Sequence, residues 1–228
     1  MIGFRDVKSI TIPEGSVKKI TAYGVTLWEK QSDLLPSKYQ RVEYIEMTGD
    51  QGGLYNESIL DVTEISFSFA LSAFTDCYIS GAYYGSSMKP FCANRLIGSH
   101  KMLYCYFNDN AKYIRSPALA LNTKYEVSMS VDLQNLSAGM RILQNGAEIN
   151  SSTISLDSYD VSNIRNFGIG CNGYWKQSGS QQGISGRIYS QQHKSNGVLV
   201  RDFIPCYLKE DSAVIGFYDT IKQTFFSI

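Results

Sequence analysis

The chain has 228 residues, of which 43% are hydrophobic and only 18% are charged, so it is long enough to bury a sizeable core. Its 21 basic and 21 acidic residues cancel to a formal net charge of zero, which argues against electrostatic capture of nucleic acid or of an anionic membrane. The 16 tyrosines and 11 phenylalanines favour strands over helices, and neither a long apolar run nor a signal-peptide pattern is found. We therefore expect a soluble all-β protein made in a cytoplasm.

The first 33 residues form a short β-rich leader. It contains the stretches I-T-I-P-E-G-S-V-K-K-I at residues 10–20 and G-V-T-L-W at residues 24–28. Polar residues and Pro36 interrupt the strand pattern at residues 31–36, which makes this the best candidate for a linker. A segment this short cannot form an independent core, so we expect it to dock on the rest of the chain or on neighbouring subunits, with Trp28 as a packing anchor.

Period-two alternation recurs through the rest of the chain and predicts strands. The clearest case is Y-E-V-S-M-S-V-D at residues 125–132, whose apolar members are predicted to face the core. Asn145 and Gly146 predict a hairpin turn, because both positions tolerate a positive φ. The other predicted strands are residues 65–71, 77–81, 102–107, 164–170, 184–190, 198–203 and 214–218. Short strands at this spacing predict a sandwich of two sheets.

Two sequence signatures bracket residues 34–228. The first is L-P-S-K-Y-Q-R-V-E-Y-I-E-M-T-G at residues 35–49; the second comprises G-R-I-Y-S at 186–190, V-L-V-R-D-F-I-P-C at 198–206 and G-F-Y-D at 216–219. The pair closely resembles the concanavalin-like (laminin-G-like) jelly-roll modules carried by structural proteins of phages and prophages of gut bacteria, mostly Firmicutes. The leader resembles a short segment found on tail and baseplate proteins.

This resemblance implies a fold, a function and a set of partners. The fold is an all-β, concanavalin-like jelly-roll sandwich of two antiparallel sheets over residues 34–228, and residues 1–33 are a virion-attachment or oligomerisation segment. The implied function is that of a virion protein assembled in the bacterial cytoplasm, such as a tail fibre, baseplate appendage or head decoration, which adheres to host-surface glycans. The implied partners are other virion proteins and copies of the same chain. The alternative is a purely structural virion subunit that packs against its neighbours and binds no sugar.

The same fold also carries laminarinase-type glycoside hydrolases, so an enzyme has to be considered. Enzymes of that family carry an E-x-D-x-x-E pattern on one strand, and this pattern supplies the two carboxylates that flank the sugar. No such pattern occurs here. His100 and His193 are the two histidines, and neither lies in the context of a known nucleophile. Both are predicted to be solvated loop residues. We therefore predict no catalytic residues.

No cofactor is predicted, and calcium is the one metal that the sequence leaves open. Candidate oxygens occur in N-D-N at residues 108–110, in Asp157 with Asp160, and at Asp132. Each is more simply explained as turn chemistry, so no metal ligand is assigned. The odd number of cysteines, with no close pairing motif, predicts free buried thiols at Cys77, Cys92, Cys105, Cys171 and Cys206.

Aromatic residues beside amides in two loops predict a glycan site. In such sites an aromatic face covers the C–H side of the sugar ring, and polar side chains bind its hydroxyls. An alternative for Trp175 is that it closes the edge of the sandwich or packs on a neighbouring subunit, and an alternative for one of the tyrosines at 83 and 84 is that it closes the end of the core. The predicted ligand-binding residues are Asn172, Tyr174, Trp175, Lys176, Gln177, Tyr83 and Tyr84.

The residues of the second signature are predicted to close the fold rather than to contact a ligand. Apolar positions alternate with Arg201, as expected of a strand with one buried side. Asp202 is predicted to pair with Arg201 or with Arg187.

Overall fold

The computed structural model describes residues 19–22, 25–29, 35–49, 53–55, 62–81, 93–107, 112–157, 167–171 and 183–228. Contacts between Cα atoms divide the chain into two compact units, Met1–Pro36 and Ser37–Ile228. The regular secondary structure in the described ranges is β-strand throughout, and these ranges contain no helix long and apolar enough to cross a membrane.

The described strands are numbered in chain order. They are β1 (Lys19–Ala22), β2 (Val25–Glu29), β3 (Tyr39–Arg41), β4 (Ile45–Thr48), β5 (Gly53–Tyr55), β6 (Glu64–Leu71), β7 (Cys77–Gly81), β8 (Ala93–Ile97), β9 (Met102–Tyr106), β10 (Tyr113–Arg115), β11 (Tyr125–Asp132), β12 (Ser137–Gln144), β13 (Ala147–Ser155), β14 (Phe167–Ile169), β15 (Ser185–Ser195), β16 (Val198–Leu208), β17 (Asp211–Asp219) and β18 (Thr224–Ser227). In the first unit, β1 and β2 form an antiparallel hairpin.

The second unit contains two antiparallel sheets. The small sheet has six strands in the order β10-β9-β8-β7-β14-β5. The large sheet follows the order β13-β12-β11-β6-β15-β16-β17-β18, with β3 added beside β16 and β4 beside β15. Strands distant in sequence are therefore neighbours, as when β6 pairs with both β11 and β15.

A hydrophobic core fills the space between the two sheets. Leu96 and Leu103 of the small sheet and Phe69, Phe203 and Phe217 of the large sheet are fully buried in it. Each such side chain contributes about 1.5–3 kcal/mol relative to exposure to water. In β11 the predicted alternation is confirmed, because burial and exposure alternate along its whole length.

The predicted hairpin is also confirmed. Asn145 and Gly146 link β12 to β13, and both have a positive φ, 50° and 81° respectively. This is the backbone geometry of a type I′ turn, whose twist matches that of the strands it joins. Asn and Gly are the residues that adopt it most easily.

Four residues of the two signatures form a cluster with Lys124 on the large sheet. The Arg187 guanidinium lies 4.6 Å from the Tyr44 ring centre, and the Lys124 ammonium lies 4.7 Å from that of Tyr189. The two rings are 5.5 Å apart in an edge-to-face arrangement, and Arg187 Nε lies 3.7 Å from Glu46. These cations are already held by rings and a carboxylate, so the cluster serves the packing of β4 against β15.

The second signature closes the fold through a buried polar network. Arg201 Nη1 lies 3.3 Å from Asp219 Oδ2, and Asp202 accepts a hydrogen bond of 2.9 Å from Gln192 Nε2. The pairing of Asp202 with Arg201 or Arg187 stays a prediction.

His193 is not a solvated loop residue, so that prediction is wrong. It lies within β15, has no exposed surface, and packs edge-on against Phe167 and Phe203 with ring centres 4.7 Å and 5.8 Å away. Gln191 Nε2 lies 3.0 Å from His193 Nε2, and since an amide nitrogen only donates, the ring nitrogen is the acceptor. The ring is therefore neutral. Its burial lowers the pKa of His193 from 6.5 to about 3.

We expect His193 to make the protein sensitive to mild acid. Below pH 6.5 the His193 side chain is protonated in the unfolded chain, whereas in the folded protein it stays neutral down to about pH 3. The free energy of unfolding therefore falls as the pH is lowered through this window. Between pH 7 and pH 5 the loss from this residue is about 2 kcal/mol. Denaturant unfolding at both pH values should show a clearly smaller loss for His193→Gln than for the wild type. Equal losses in the two proteins would contradict the assignment.

The described cysteines are free and buried, as predicted. They are Cys77, Cys105, Cys171 and Cys206, while Cys92 lies outside the described residues. Desolvation raises the pKa of the Cys77 thiol to about 12 and that of Cys206 to about 11, and it also raises that of Cys105. A thiol with a raised pKa is a poor nucleophile, so these three side chains act as small apolar residues.

Candidate functional site

The ligand-binding residues predicted from the sequence lie outside the described residues. These are Tyr83 and Tyr84 in the segment after β7, and Asn172, Tyr174, Trp175, Lys176 and Gln177 in the segment after β14. The described residues that flank the two segments can be placed. Gly81, the last residue of β7, pairs with Gly168 of β14. The backbone N–H of Gly170, just after β14, donates a hydrogen bond to the carbonyl of Ile79 in the middle of β7.

The candidate calcium ligands that the structure describes, Asp132 and Asp157, have other partners. Asp132 accepts hydrogen bonds from the backbone of Gln134 (2.9 Å) and Asn135 (3.0 Å), and from the Asn135 amide (2.7 Å). These bonds, above all that from the Asn135 side chain, lower the pKa of Asp132. Asp157 lies 3.2 Å from Lys112 Nζ. The described part of the chain contains no group of three acidic, histidine or cysteine side chains arranged for a metal ion.

A second set of aromatic side chains lies on the outer side of the small sheet. In β9 and just after it, Leu103, Cys105 and Phe107 point into the core, so Tyr104 and Tyr106 between them point outward. Tyr78 of β7 joins them in a cluster separate from the core. Tyr113 of β10 is directly opposite Tyr106. We call this surface the tyrosine face, and it comprises Tyr78, Tyr104, Tyr106 and Tyr113 with Arg95 and Arg115.

Within the tyrosine face, Tyr113 offers the most accessible ring. Its ring centre lies 5.2 Å from that of Tyr104 and 5.6 Å from that of Tyr106, which are themselves 6.3 Å apart. Tyr113 is 40% exposed, whereas Tyr78, Tyr104 and Tyr106 are less than 10% exposed. The buried rings therefore form a rigid base, and Tyr113 at the edge of the sheet presents an aromatic surface to solvent.

Polar groups surround this base. His100 Nδ1 lies 2.9 Å from the Tyr104 hydroxyl, and Arg95 Nη2 lies 3.0 Å from Asp76 Oδ2. The Arg95 guanidinium is also 5.9 Å from the Tyr78 ring centre. Desolvation, as the largest cause, raises the pKa of the Tyr106 hydroxyl, which therefore stays protonated and able to donate a hydrogen bond.

The chemistry of the tyrosine face suits binding. An aromatic surface, phenolic hydroxyls and guanidinium groups are the components that hold sugars. Hydrolysis of a glycoside needs two facing carboxylates, and β7, β8, β9 and β10 contribute none to this surface. The face was not predicted from the sequence because its residues come from four separate strands. The Y-C-Y alternation at 104–106 and the Y-I-R pattern at 113–115 were the available signals.

Comparisons with known proteins give the fold. No family model matches the chain, and no curated protein matches it. Among solved structures it is similar to a "putative carbohydrate binding protein" from Bacteroides ovatus ATCC 8483, with a TM-score of 0.51, 14% identity, and coverage of 79% of this chain and 58% of that one. This likeness and the two antiparallel sheets show that the chain is an all-β sandwich of the jelly-roll type, which confirms the predicted fold class.

Two further solved structures are similar to the chain at lower TM-scores. One is the CBM40 of the Ruminococcus gnavus IT-sialidase bound to α2,3 sialyllactose, with a TM-score of 0.49, 13% identity, and coverage of 69% of this chain and 92% of that one. The other is the heptameric SAP-like pentraxin from Limulus polyphemus, with a TM-score of 0.46, 14% identity, and coverage of 66% and 73%.

Proposed function

We propose that the protein is a non-enzymatic glycan-binding adhesin and that the tyrosine face is its binding surface. The observation that carries the proposal is the half-exposed Tyr113 ring, backed by the buried rings of Tyr104 and Tyr106 on the outer side of a jelly-roll sheet. A rigid aromatic base lowers the entropic cost of binding, because few side chains have to be ordered. The solved Bacteroides ovatus protein of the same fold is named for carbohydrate binding, which accords with this function.

We further propose that the adhesin belongs to a phage or prophage virion, as a tail fibre, baseplate appendage or head decoration. The support for this is the resemblance of the signatures at residues 35–49 and 186–219, together with the leader. In such a particle the leader, residues 1–33, attaches the sandwich to other virion proteins or to copies of itself. Several copies on one particle would strengthen weak individual sugar sites through avidity.

The first test is the removal of the exposed ring. We expect Tyr113→Ala to lower the affinity for the glycans that the wild-type protein binds on an array by about tenfold or more, as for a central aromatic contact. Tyr44→Ala, which removes a partly buried ring from the outer side of the large sheet, is the matched control. Equal affinities of Tyr113→Ala and the wild type would remove the tyrosine face from the proposal.

The two loops remain a separate prediction. Trp175→Ala on the same array tests whether the segment after β14 contributes to sugar binding. A tenfold or greater loss supports the loop residues as part of the site. An unchanged affinity, alongside a loss in Tyr113→Ala, would remove Trp175 from the site and leave the tyrosine face in it.

The alternative is a purely structural virion subunit, and one observation favours it. Tyr78, Tyr104 and Tyr106 are buried, so their rings already serve packing within the subunit. If the wild-type protein binds no glycan on the array, and Tyr113→Ala instead weakens its self-association in sedimentation experiments, the face is a contact between subunits.

A further inference from the structure

We propose that the tyrosine face selects acidic glycans, with Tyr113 carrying the sugar ring and Arg115 holding a carboxylate or phosphodiester group of the same glycan. This inference rests on the proposed function and adds the chemical class of the ligand. It concerns the two outward side chains of β10, which forms one edge of the small sheet.

The geometry of β10 places these two side chains side by side. Ile114 between them is buried in the core, so Tyr113 and Arg115 point to the same outer side. Alternate residues of a strand are about 7 Å apart, a distance that one sugar with an acidic substituent spans. Tyr113 is opposite Tyr106, and Arg115 is opposite Tyr104. The ring and the guanidinium therefore border one continuous aromatic surface.

In the part of the chain that the structure describes, no neighbour offsets the charge of Arg115. Its side chain is exposed, and it makes no hydrogen bond or ion pair with any residue in the described part of the chain. Other cations near this sheet are paired: Arg95 lies 3.0 Å from Asp76, and Lys112 lies 3.2 Å from Asp157. In a chain of zero net charge, the face thus has a local positive charge at its accessible edge.

A guanidinium group and an aromatic ring recognise two parts of one ligand. The planar fork of Arg binds a carboxylate or a phosphate through two parallel hydrogen bonds, which a neutral hydroxyl cannot reproduce. The Tyr113 ring covers the apolar C–H side of the sugar. A neutral glycan would therefore use only the ring, whereas an acidic glycan would use both groups. A nucleic acid would need a larger set of unpaired cations than the described part of this face offers.

The test is binding of the full chain to acidic oligosaccharides, each printed beside its uncharged counterpart. Uronate oligosaccharides are paired with their methyl esters, and sugar-substituted poly(glycerol phosphate) is paired with the free sugar, so the two arms separate a carboxylate from a phosphodiester. We expect the wild type to prefer the acidic member, and we expect Arg115→Gln to lose about tenfold or more on it and much less on the neutral one. Arg115→Lys should recover part of the loss, since it keeps the charge but not the fork.

The control is Arg41→Gln, which removes another exposed arginine, from β3 of the large sheet. An equal loss in Arg41→Gln and Arg115→Gln would show unspecific attraction of polyanions and overturn the inference. Equal binding of acidic and neutral members, with Tyr113→Ala still defective, would overturn the acidic selectivity and leave the proposed function standing. Binding to no glycan at all would overturn both.

Discussion

Replacing Asp219 by alanine is expected to lower the free energy of unfolding by about 3–5 kcal/mol, as for the loss of one partner from a buried ion pair. Asp219 has no exposed surface, and its Oδ2 lies 3.3 Å from Nη1 of Arg201, whose side chain is only 8% exposed. In the variant, the buried guanidinium keeps the cost of desolvation and loses the attraction of this carboxylate.

The other carboxylate oxygen of Asp219 organises the chain after β17. Its Oδ1 accepts hydrogen bonds from the backbone N–H groups of Asp202 (3.3 Å), Ile221 (3.0 Å) and Lys222 (3.3 Å). One side chain thus joins β16 to the turn before β18. Alanine would remove the acceptor from all three groups, which adds to the loss of the ion pair.

Two variants separate these contributions in denaturant unfolding. Asp219→Asn keeps an oxygen for the backbone bonds but loses the charge facing Arg201, so we expect an intermediate loss. Asp211→Ala removes an exposed carboxylate that accepts one bond of 3.0 Å from the Ala213 N–H, and we expect a loss of about 1 kcal/mol or less. If Asp219→Ala were no worse than Asp211→Ala, the network would not hold the closing strands.

The fold was predictable because local patterns and the two signatures agree. The alternation of β11 and the Asn145-Gly146 turn each specify a local structure, and both are present as predicted. The two signatures supply strands that pair with each other in the large sheet, since β4 lies beside β15 and β3 lies beside β16. Such long-range pairing follows from the signatures and not from any single periodic segment.

The burial of His193 was not predictable, and the reason is a β-bulge. The pairing of β15 with β6 shifts register between Ile188 and Ser190. An extra residue changes which members of a strand face inward, so Gln191 and His193 follow Ile188 into the core although strict alternation would place Gln192 there. The polar composition of residues 191–197 predicted a turn, whereas in the structure β15 continues to Ser195.

The tyrosine face was predictable only in part. The outward direction of Tyr104 and Tyr106 follows from the alternation of β9, but their approach to Tyr113 depends on the pairing of β9 with β10. Arg95 lies between Tyr78 and Tyr104 because β8 pairs with both β7 and β9. The sequence did not predict a strand at β8. A surface assembled across several strands requires the order of those strands, which a single sequence does not provide.

Gly186→Ala is expected to lower the free energy of unfolding by about 3 kcal/mol or more, because the first residue of the G-R-I-Y-S signature has no room for a side chain. A Cβ atom there would overlap the backbone carbonyl oxygen of Ala70 on β6 and would lie 3.0 Å from the Leu71 Cα. The φ of 154° at Gly186 is also one that other residues rarely adopt.

The position of Gly186 in the sheet makes this clash hard to relieve. β15 and β6 are inner strands of the large sheet, and β4 pairs with the other side of β15 at Met47, so a shift of either strand would break pairing on both sides. Gly146→Ala is the control, since its Cβ would meet no atom within 4 Å and only the positive φ is strained, at a cost of about 1–2 kcal/mol. Denaturant unfolding should rank Gly186→Ala as clearly the less stable variant. Equal losses would mean that the signature glycine is required for its backbone conformation alone, and not for the close approach of β15 to β6.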